Sequence, residues 1–436
     1  MNSMPNSMPV ANTTSANGEV LPTAKPTASP STVKIREHEA CRVCGGLLDD
    51  VLSLGDIAPS GFGAGNHSPE RYPLDLTTCS ECGLVQLRHT LDQDTSFRHY
   101  WYRSALNQSM VAALRDVVEC ALRQVTLNRG DVATDIGCND GTLLSMLPPG
   151  TVTVGFEPAR NLATEAARRA ILFVNDYFSA AKYPPQVKKS KLVTSIAMFY
   201  GVDQPAAFVA GVAQILHEDG IWVLQMMDLE SMLAQLAFDN ICFEHLIYYT
   251  LADIRRLVEP FGLEVFHVSH NMTNGGSLRA MICHRGQRVV SPFATVSMLA
   301  DVRQNLRDFA AAVERIRDVI VKTITDLVSR GQRVYVMGAS TKGNTLLQYF
   351  GLDSTLIDKA AEVNPDKWGL RTVATNIPIA SEAECLADHP DYFLVLPWHF
   401  ITDFVNRNQE YLNRGGRFIV PLPRPAVIGK DEWTFL

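Results

Sequence analysis

Short apolar runs and amphipathic runs alternate along much of the chain from residue 132 onward. Val132–Ile136 and Val152–Phe156 are short, mostly apolar runs, and such runs indicate strands buried in a parallel sheet. Thr142–Leu147 and Pro205–Leu216 place apolar residues at helical spacing and predict helices. This regular βα alternation predicts an α/β fold.

A second α/β unit follows a long amphipathic segment. Ser297–Ser329 keeps helical periodicity without a break, which predicts a helix between two domains, and Arg333–Met337 predicts the first strand of the second unit. Residues 1–33 are rich in Ser, Thr, Asn, Ala and Pro. They cannot bury enough apolar surface to fold, so a disordered tail is predicted there. A transit peptide is the alternative, but this stretch has no arginine.

The length and charge of the chain limit its domains and partners. A chain of 436 residues is longer than one compact core can hold, so two or three domains are expected. The formal net charge is −7 without a long basic run, which argues against nucleic acid or an anionic membrane as partner. No apolar stretch reaches the roughly 20 residues of a membrane helix, and no signal-peptide pattern is present. We expect a cytoplasmic monomer or homodimer with a small-molecule substrate.

Two C-x-x-C pairs predict a metal site. The pairs Cys41-Arg-Val-Cys44 and Cys79-Ser-Glu-Cys82 are each followed by glycine, and 34 residues separate them. Such turns direct thiolates inward, and two of them complete a tetrahedral four-sulfur site that suits Zn²⁺. Four thiolates leave no open position, so we expect one structural zinc per chain. The spacer is longer than a minimal zinc ribbon needs, and part of it is expected to cover a neighbouring domain.

A glycine turn joins the first predicted strand to its helix. In Asp135-Ile-Gly-Cys-Asn-Asp-Gly141 the glycines permit positive φ and leave room for a ligand against the backbone. The spacing differs from the G-x-G-x-x-G pyrophosphate fingerprint, so a less anionic ligand is expected. Glu157 ends the next predicted strand, where an acid can accept both hydroxyls of a ribose. This arrangement resembles class I S-adenosylmethionine (SAM)-dependent methyltransferases; a plain strand-turn-helix with a surface acid is the alternative.

Two further stretches are candidates for the cofactor site. Asp176 follows a predicted strand at the carboxyl edge of the sheet, where its carboxylate can meet the adenine amine. The aromatic cluster His99–Met110 offers ring faces that attract a sulfonium cation, but the same rings can instead pack the cysteine module onto the next domain. The candidate cofactor-binding residues are Asp135, Gly137, Asn139, Gly141, Glu157, Asp176, Tyr102 and Ser104.

Glu244 and His245 are the candidates for catalysis. The capping pattern of Thr250 and Asp253 starts a helix at Leu251, which leaves both candidates on the preceding loop. Imidazole titrates near neutrality and can act as a general base, and the adjacent carboxylate can orient it or raise its basicity. A purely structural His-Glu pair is the alternative.

Two glycine-containing loops are candidates for acceptor binding. Asn274-Gly-Gly-Ser-Leu-Arg279 brings a hydroxyl and a guanidinium to a tight turn, which suits a phosphate or carboxylate; an ordinary hairpin turn is the alternative. In Gly338-Ala-Ser-Thr-Lys-Gly-Asn344, backbone amides and Lys342 face one point at a helix N-terminus. This loop is not a P-loop, because its lysine precedes the second glycine.

Taken together, these motifs resemble one known family over nearly the whole chain from Cys41 to Pro425. The matching motifs are the two cysteine pairs, Tyr100-Trp-Tyr-Arg-Ser, Asp135-Ile-Gly-Cys-Asn-Asp-Gly141, Glu244-His245-Leu-Ile-Tyr-Tyr, Gly275-Gly-Ser-Leu-Arg279 and Gly338-Ala-Ser-Thr-Lys-Gly-Asn344. In this order they resemble the zinc-containing, three-domain sugar C-methyltransferases, which methylate nucleotide-linked 4-keto-deoxysugars. Relatives usually carry His-Glu-His after a tyrosine, whereas this chain has Cys242-Phe243-Glu244-His245.

The resemblance implies a domain order and a site. We expect an N-terminal zinc-binding module at 34–98, a central class I methyltransferase Rossmann-like domain at 99–290, a linking helix at 291–329 and a C-terminal second Rossmann-like α/β domain at 330–436. A sugar nucleotide is expected between the central and C-terminal domains. The expected catalytic residues are His245 as base, Glu244 beside it and Tyr248 as oxyanion donor, and the expected substrate-binding residues are Arg279, Ser277, Lys342 and Asn344.

Three functions compete at this point. The leading hypothesis is a SAM-dependent enzyme that removes a proton next to a ketone and methylates the resulting enolate, which needs a base, an oxyanion donor and an electrophile in line. The second hypothesis is methylation of oxygen or nitrogen on a non-sugar metabolite. The third is a non-catalytic zinc-containing binding scaffold, which the acidic charge and the intact Asp135, Gly137, Gly141 and Glu157 disfavour.

Overall fold

The computed structural model of the chain describes residues 34–65, 69–295 and 302–436. The predicted disordered tail at residues 1–33 lies outside these ranges. None of the described helices is both long enough and apolar enough to cross a membrane. The elements of the first part of the chain are β1 (Ile35–Glu37), β2 (Leu48–Ile57), β3 (Phe62–Gly63), β4 (Tyr72–Cys79), β5 (Val85–Leu87), β6 (His89–Leu91), α1 (Gln93–Phe97) and α2 (Gln108–Gln124).

The cysteine-rich segment builds a sheet that recruits a distant part of the chain. Its strand order is β12, β5, β4, β2, in which β12 (Ile247–Tyr248) comes directly after the Glu244-His245 loop. The spacer between the cysteine pairs contributes β3, which pairs with β17 (Arg371–Thr372) of the C-terminal half. This pairing confirms that part of the spacer covers a neighbouring domain. The first sheet thereby positions the loop that carries the candidate base.

The central part of the chain forms a seven-stranded sheet. Its elements are β7 (Val132–Ile136), β8 (Val152–Phe156), α3 (Ala163–Arg169), β9 (Leu172–Val174), β10 (Ser190–Ile196), α4 (Pro205–Ile215), β11 (Leu216–Met226), α5 (Leu229–Ala234), α6 (Leu251–Val258), β13 (Leu263–Asn271) and β14 (Ser277–His284). The strand order is β13-β14-β11-β10-β7-β8-β9, in which β14 alone runs antiparallel to its two neighbours, β11 and β13. The order reverses between β10 and β7, and ligands of open α/β sheets bind at the carboxyl ends of the strands beside such a reversal.

One predicted helix of this domain is shorter than expected. Thr142–Leu147 forms only a 3₁₀ turn at Leu144–Met146. Pro148 and Pro149 follow immediately. Proline disfavours helical geometry in the residue before it, so a helix cannot extend through this point.

A long helix leads to a second seven-stranded sheet. Helix α7 is described from Val302 to Ser329, so the predicted start at Ser297 lies outside the described residues. The following elements are β15 (Val334–Met337), α8 (Thr341–Phe350), β16 (Ala360–Glu362), β18 (Ile379–Ser381), α9 (Glu382–Ala387), β19 (Tyr392–Val395), α10 (Ile401–Arg407), α11 (Gln409–Asn413), β20 (Arg417–Val420), β21 (Ala426–Ile428) and β22 (Trp433–Phe435). The sheet order is β18-β16-β15-β19-β20-β21-β22, parallel from β18 to β20. The predicted α/β fold with two Rossmann-like sheets is confirmed.

Candidate active site and zinc centre

The four cysteines of the two C-x-x-C pairs converge. Their Sγ atoms all lie within 4.8 Å of one another, with Cys41 to Cys82 at 3.8 Å and Cys44 to Cys79 at 3.4 Å. Zinc–sulfur bonds of about 2.3 Å in a tetrahedron separate the sulfurs by roughly 3.8 Å. Backbone N–H groups of Val43, Gly46 and Cys82 point at three of the thiols, as expected for thiolates around a cation. The four residues therefore fit a closed, structural zinc site.

Seven of the eight candidate cofactor residues line a cavity of about 810 Å³ at the carboxyl edge of the central sheet. Gly137 lines it with φ of +76°, and a Cβ there would lie 3.0 Å from Met198. Gly141 does not line the cavity; a Cβ there would meet Arg169 and the backbone of Ala166 at 3.0 and 3.3 Å. Gly141 is therefore needed for close packing against α3, and the structure does not support its expected contact with the cofactor.

Two buried carboxyl groups stand in the wall of this cavity. Asp135 accepts a 2.6 Å hydrogen bond from Thr194, and burial raises the pKa of Asp135 to about 7. Glu157 accepts from the backbone N–H of Asn139 at 2.9 Å and of Ala159 at 2.8 Å. Each Glu157 oxygen uses one lone-pair direction in this way and keeps another. The carboxyl can therefore still accept hydroxyls of a ribose, as the sequence predicts.

The segment before α2 closes one side of the cavity. Asn139, held at φ of +52°, accepts from the N–H of Ser104 at 3.0 Å and donates to the carbonyl of Tyr102 at 3.0 Å. All three residues line the cavity. Trp101 points elsewhere and packs edge-on against Phe62 of the cysteine module at 5.3 Å. Trp101 thus packs onto the cysteine module, whereas Tyr100 and Tyr102 line the cavity, and their contact with a sulfonium stays a prediction.

Asp176 also lines the cavity, but its carboxylate is paired. It bonds Lys182 at 2.7 Å and Arg98 at 3.1 Å. The bond from Lys182, and secondarily those from the backbone and Arg98, lower the pKa of Asp176 although partial burial opposes the shift. The carboxylate therefore stays ionised and keeps acceptor capacity toward the cavity.

His245 lies buried where the cavity meets the second α/β unit. Its Nδ1 is 2.9 Å from the backbone carbonyl of Asn240, and its ring lies 3.9 Å from that of Tyr200. A carbonyl can only accept, so Nδ1 carries the proton and Nε2 presents a lone pair. Burial, and secondarily the charge of Lys342, lower the pKa of His245 to about 3. The imidazole is therefore neutral and able to accept a proton.

Glu244 and Tyr248, which were expected to assist His245, do not make the expected contacts. Glu244 lines the cavity, but its Oε2 has no hydrogen-bond partner among the described residues, and burial raises its pKa. The carbonyl of Asn240, rather than Glu244, orients the imidazole. Tyr248 is buried in β12, donates to that same carbonyl at 3.2 Å and does not line the cavity. Its expected role as oxyanion donor has no support from these contacts.

Of the expected substrate-binding residues, Lys342 alone lines the cavity. Its ammonium, at the start of α8, donates to the side-chain oxygen of Asn240. Arg279 is buried in β14 and bonds Asp116 and Gln225, both at 2.7 Å.

The loops at residues 274–279 and 338–344 make hydrogen bonds and packing contacts within the protein. Ser277 donates to the carbonyl of Thr273 at 2.9 Å, and Asn344 donates to the carbonyl of Gly61 at 3.3 Å. A Cβ at Gly275 would lie 3.0 Å from Trp398, so this glycine turn serves close packing against the second unit. The expected ligand contacts of Arg279, Ser277 and Asn344 are thus replaced by contacts within the protein.

Comparison with known proteins identifies the family. A C-methyltransferase C-terminal domain matches residues 272–423, a methyltransferase domain matches residues 108–268 and a zinc binding domain matches residues 41–97. The C-methyltransferase NovU of Streptomyces niveus is 31% identical over 415 residues, covering 91% of this chain and 99% of the relative. The chain belongs to the C-methyltransferase family. This C-methyltransferase is accordingly a SAM-dependent enzyme with a zinc-binding N-terminal module.

Solved structures resemble the central part of the C-methyltransferase. A methyltransferase in complex with the activator Trm112 from Haloferax volcanii is 15% identical and covers 41% of this chain and 95% of its own, with a TM-score of 0.34. SAM-bound magnesium protoporphyrin IX methyltransferase from Synechocystis PCC 6803 is 14% identical and covers 40% of this chain and 79% of its own, with a TM-score of 0.31. Both scores are below 0.5, so the fold description rests on the sheets themselves.

Several cavity residues of the C-methyltransferase escaped sequence reasoning. Asp239, Tyr200 and His399 line the cavity, and Asn240 orients His245. Tyr200 and His399 carried a usable signal, because each comes four residues after a strand that ends at the carboxyl edge of a parallel sheet. Asn240 acts through its backbone carbonyl, which no side-chain pattern can reveal.

Proposed function

We propose that this C-methyltransferase removes a proton from the carbon next to the ketone of a nucleotide-linked 4-keto-deoxysugar and methylates that carbon. The observation that carries the proposal is the lone pair of His245 Nε2 in the cavity that Gly137 and Glu157 also line. Base and cofactor wall thus border one space, as a carbon acid and an electrophile require. The similarity to a protein named C-methyltransferase supports carbon as the acceptor atom.

The chain's own residues perform the proton transfer. His245 Nε2 takes the proton on the carbon next to the ketone, and the released electron pair moves toward the ketone oxygen. Asn240 keeps the imidazole in the required tautomer through the 2.9 Å bond to Nδ1. When bound, SAM supplies an electrophilic methyl group to the resulting carbanion. A non-catalytic scaffold does not fit a member of a methyltransferase family.

A sugar nucleotide fits the charge that the second α/β unit brings to the cavity. Lys342 comes from this unit and lines the cavity from the first turn of α8. An ammonium at a helix N-terminus favours phosphate groups. We therefore assign residues 330–436 to nucleotide binding and residues 99–290 to the cofactor.

The test combines product analysis with solvent exchange. The enzyme is incubated with methyl-labelled SAM and 4-keto-6-deoxyhexoses carried on dTDP or UDP, and products are analysed by mass spectrometry and NMR. We expect the label on a carbon next to the ketone, together with exchange of that carbon's hydrogen in heavy water. His245→Asn should abolish the exchange while His270→Asn, a change at an exposed strand position, should not. Label on oxygen or nitrogen without carbon exchange would refute the proposal.

A further inference from the structure

His399 is a second imidazole at the cavity, contributed by the C-terminal unit. It lies in the 3₁₀ turn Trp398–Phe400 after β19, and its ring lines the same cavity as His245. It also borders an adjoining cavity of about 310 Å³. The ring packs on Phe400 with centroids 4.2 Å apart. His399 therefore stands in the wall between the two spaces, with Lys342 in the same lining.

The two ring nitrogens of His399 have different surroundings. Nδ1 is enclosed by protein and has no hydrogen-bond partner among the described residues. Because the ring lines the cavity, Nε2 is the nitrogen available to a ligand. Burial, and secondarily the charge of Lys342, lower the pKa of His399 to about 3, so the ring is neutral and carries one proton. A buried N–H without a partner is rarer than a buried lone pair without one, so the proton belongs on Nε2.

The two histidines thus present opposite chemistry at the same atom. In His245 the carbonyl of Asn240 holds the proton on Nδ1, so Nε2 carries a lone pair. In His399 the enclosed Nδ1 favours a proton on Nε2. One imidazole can accept a proton while the other donates a hydrogen bond, and deprotonation next to a ketone requires this pairing of base and oxyanion donor.

Adjacent residues of one loop hold both imidazoles in place. Asp239 accepts a 3.1 Å bond from the indole N–H of Trp398, the neighbour of His399. Asn240 binds Nδ1 of His245 through its carbonyl and Lys342 through its side chain. Groups that are fixed before the acceptor arrives need no reorganisation as charge develops, which is the condition for effective oxyanion stabilisation.

We propose that the Nε2–H group of His399 donates the hydrogen bond that holds the ketone oxygen of the acceptor and stabilises that oxygen as the enolate forms. This role rests on the proposed function and fills the place that Tyr248 cannot occupy. As the carbon–hydrogen bond breaks, its proton goes to Nε2 of His245 and its electron pair to the ketone oxygen. His399 keeps its own proton, and the bond it donates strengthens.

Substitutions test the donor directly. His399→Phe keeps a flat ring of similar volume next to Phe400 but removes the N–H, whereas His399→Gln restores a donor. With dTDP-4-keto-6-deoxyglucose, we expect His399→Phe to lower kcat and the hydrogen-exchange rate by roughly 10²–10³-fold, the range for loss of one oxyanion donor. KM and SAM affinity should change little, and His399→Gln should recover part of the rate. The control His270→Phe makes the same change at an exposed position of β13.

The outcomes separate this role from packing and from the proposed function. Exchange by His399→Phe within about threefold of the wild type would overturn the donor role while leaving the proposed function intact. Equal losses in His399→Phe and His399→Gln, with unchanged thermal stability, would also overturn it. Nitrogen-15 NMR of histidine-labelled enzyme without acceptor provides a test that does not depend on the acceptor. We expect the proton of His399 on Nε2 and that of His245 on Nδ1; a proton on Nδ1 of His399 would refute the proposal.

Discussion

The pH dependence of deprotonation follows from the burial of His245. Unperturbed histidine has a pKa near 6.5, whereas burial and the Lys342 charge lower the pKa of His245 to about 3. Because this pKa is lowered, the neutral, proton-accepting form of His245 persists as the pH falls below 6.5. It is lost only as the pH approaches 3. The rate of α-hydrogen exchange should therefore remain high in mildly acidic solution.

The size of the effect can be worked out for a change from about pH 8 to about pH 5. An imidazole with an ordinary pKa would be about 3% neutral at about pH 5, which would lower the rate roughly 30-fold. A pKa of about 3 leaves nearly all of His245 neutral, so the expected loss is less than twofold. The two cases differ by more than tenfold, which is well outside experimental error.

The assay is kcat/KM for exchange of the hydrogen next to the ketone at saturating SAM. SAM must be saturating because burial raises the pKa of Asp135 to about 7. Protonation of Asp135 can therefore alter the affinity for SAM within the pH range of the assay. The charge of Lys342 acts on His245, the ring of Tyr200 lies 3.9 Å from the imidazole, and Asp239, Cys242 and Glu244 line the same cavity. Glu244→Gln serves as the matched control, because it removes the carboxyl next to His245 in the chain. A wild-type acid limb centred near pH 6.5 that persists in Glu244→Gln would refute the reasoning.

Three further predictions concern the zinc centre, the cofactor and the fold. Cys82→Ser should lose bound zinc, measured by elemental analysis, because three thiolates remain; zinc-free wild-type protein purified without chelator would contradict the site. Glu157→Ala should weaken SAM binding in calorimetry by about 1–3 kcal/mol as the hydroxyl acceptor is lost, and unchanged affinity would exclude a ribose contact. Lys367→Met should destabilise folding by about 3–5 kcal/mol in denaturant titrations, since it leaves Glu362, 2.9 Å away and buried, without its counter-charge. The double variant Glu362→Gln with Lys367→Met should recover most of that loss, and no recovery would show that the pair is not the cause.

The sequence by itself determined the features that depend on local chemistry. Val132–Ile136 and Val152–Phe156 are strands at the predicted bounds, because short apolar runs between turn residues suit a buried parallel sheet. The cysteine pairs were sufficient to predict the sulfur cluster, since each turn of the chain directs its own two thiols. Gly137 and Glu157 were recognisable because a strand end fixes where the following residues lie.

Only the tertiary structure decided which polar side chains reach the cavity. Arg279 and Tyr248 stand in motifs that suggested ligand contacts, but pairing of β14 with β11 turns the guanidinium to Gln225 and Asp116, and pairing of β12 with β5 buries the phenol. His399 reaches the cavity only because the second sheet packs against the loop of Asp239. These placements depend on contacts between residues 54 to 163 positions apart, and a local pattern carries no information about such contacts.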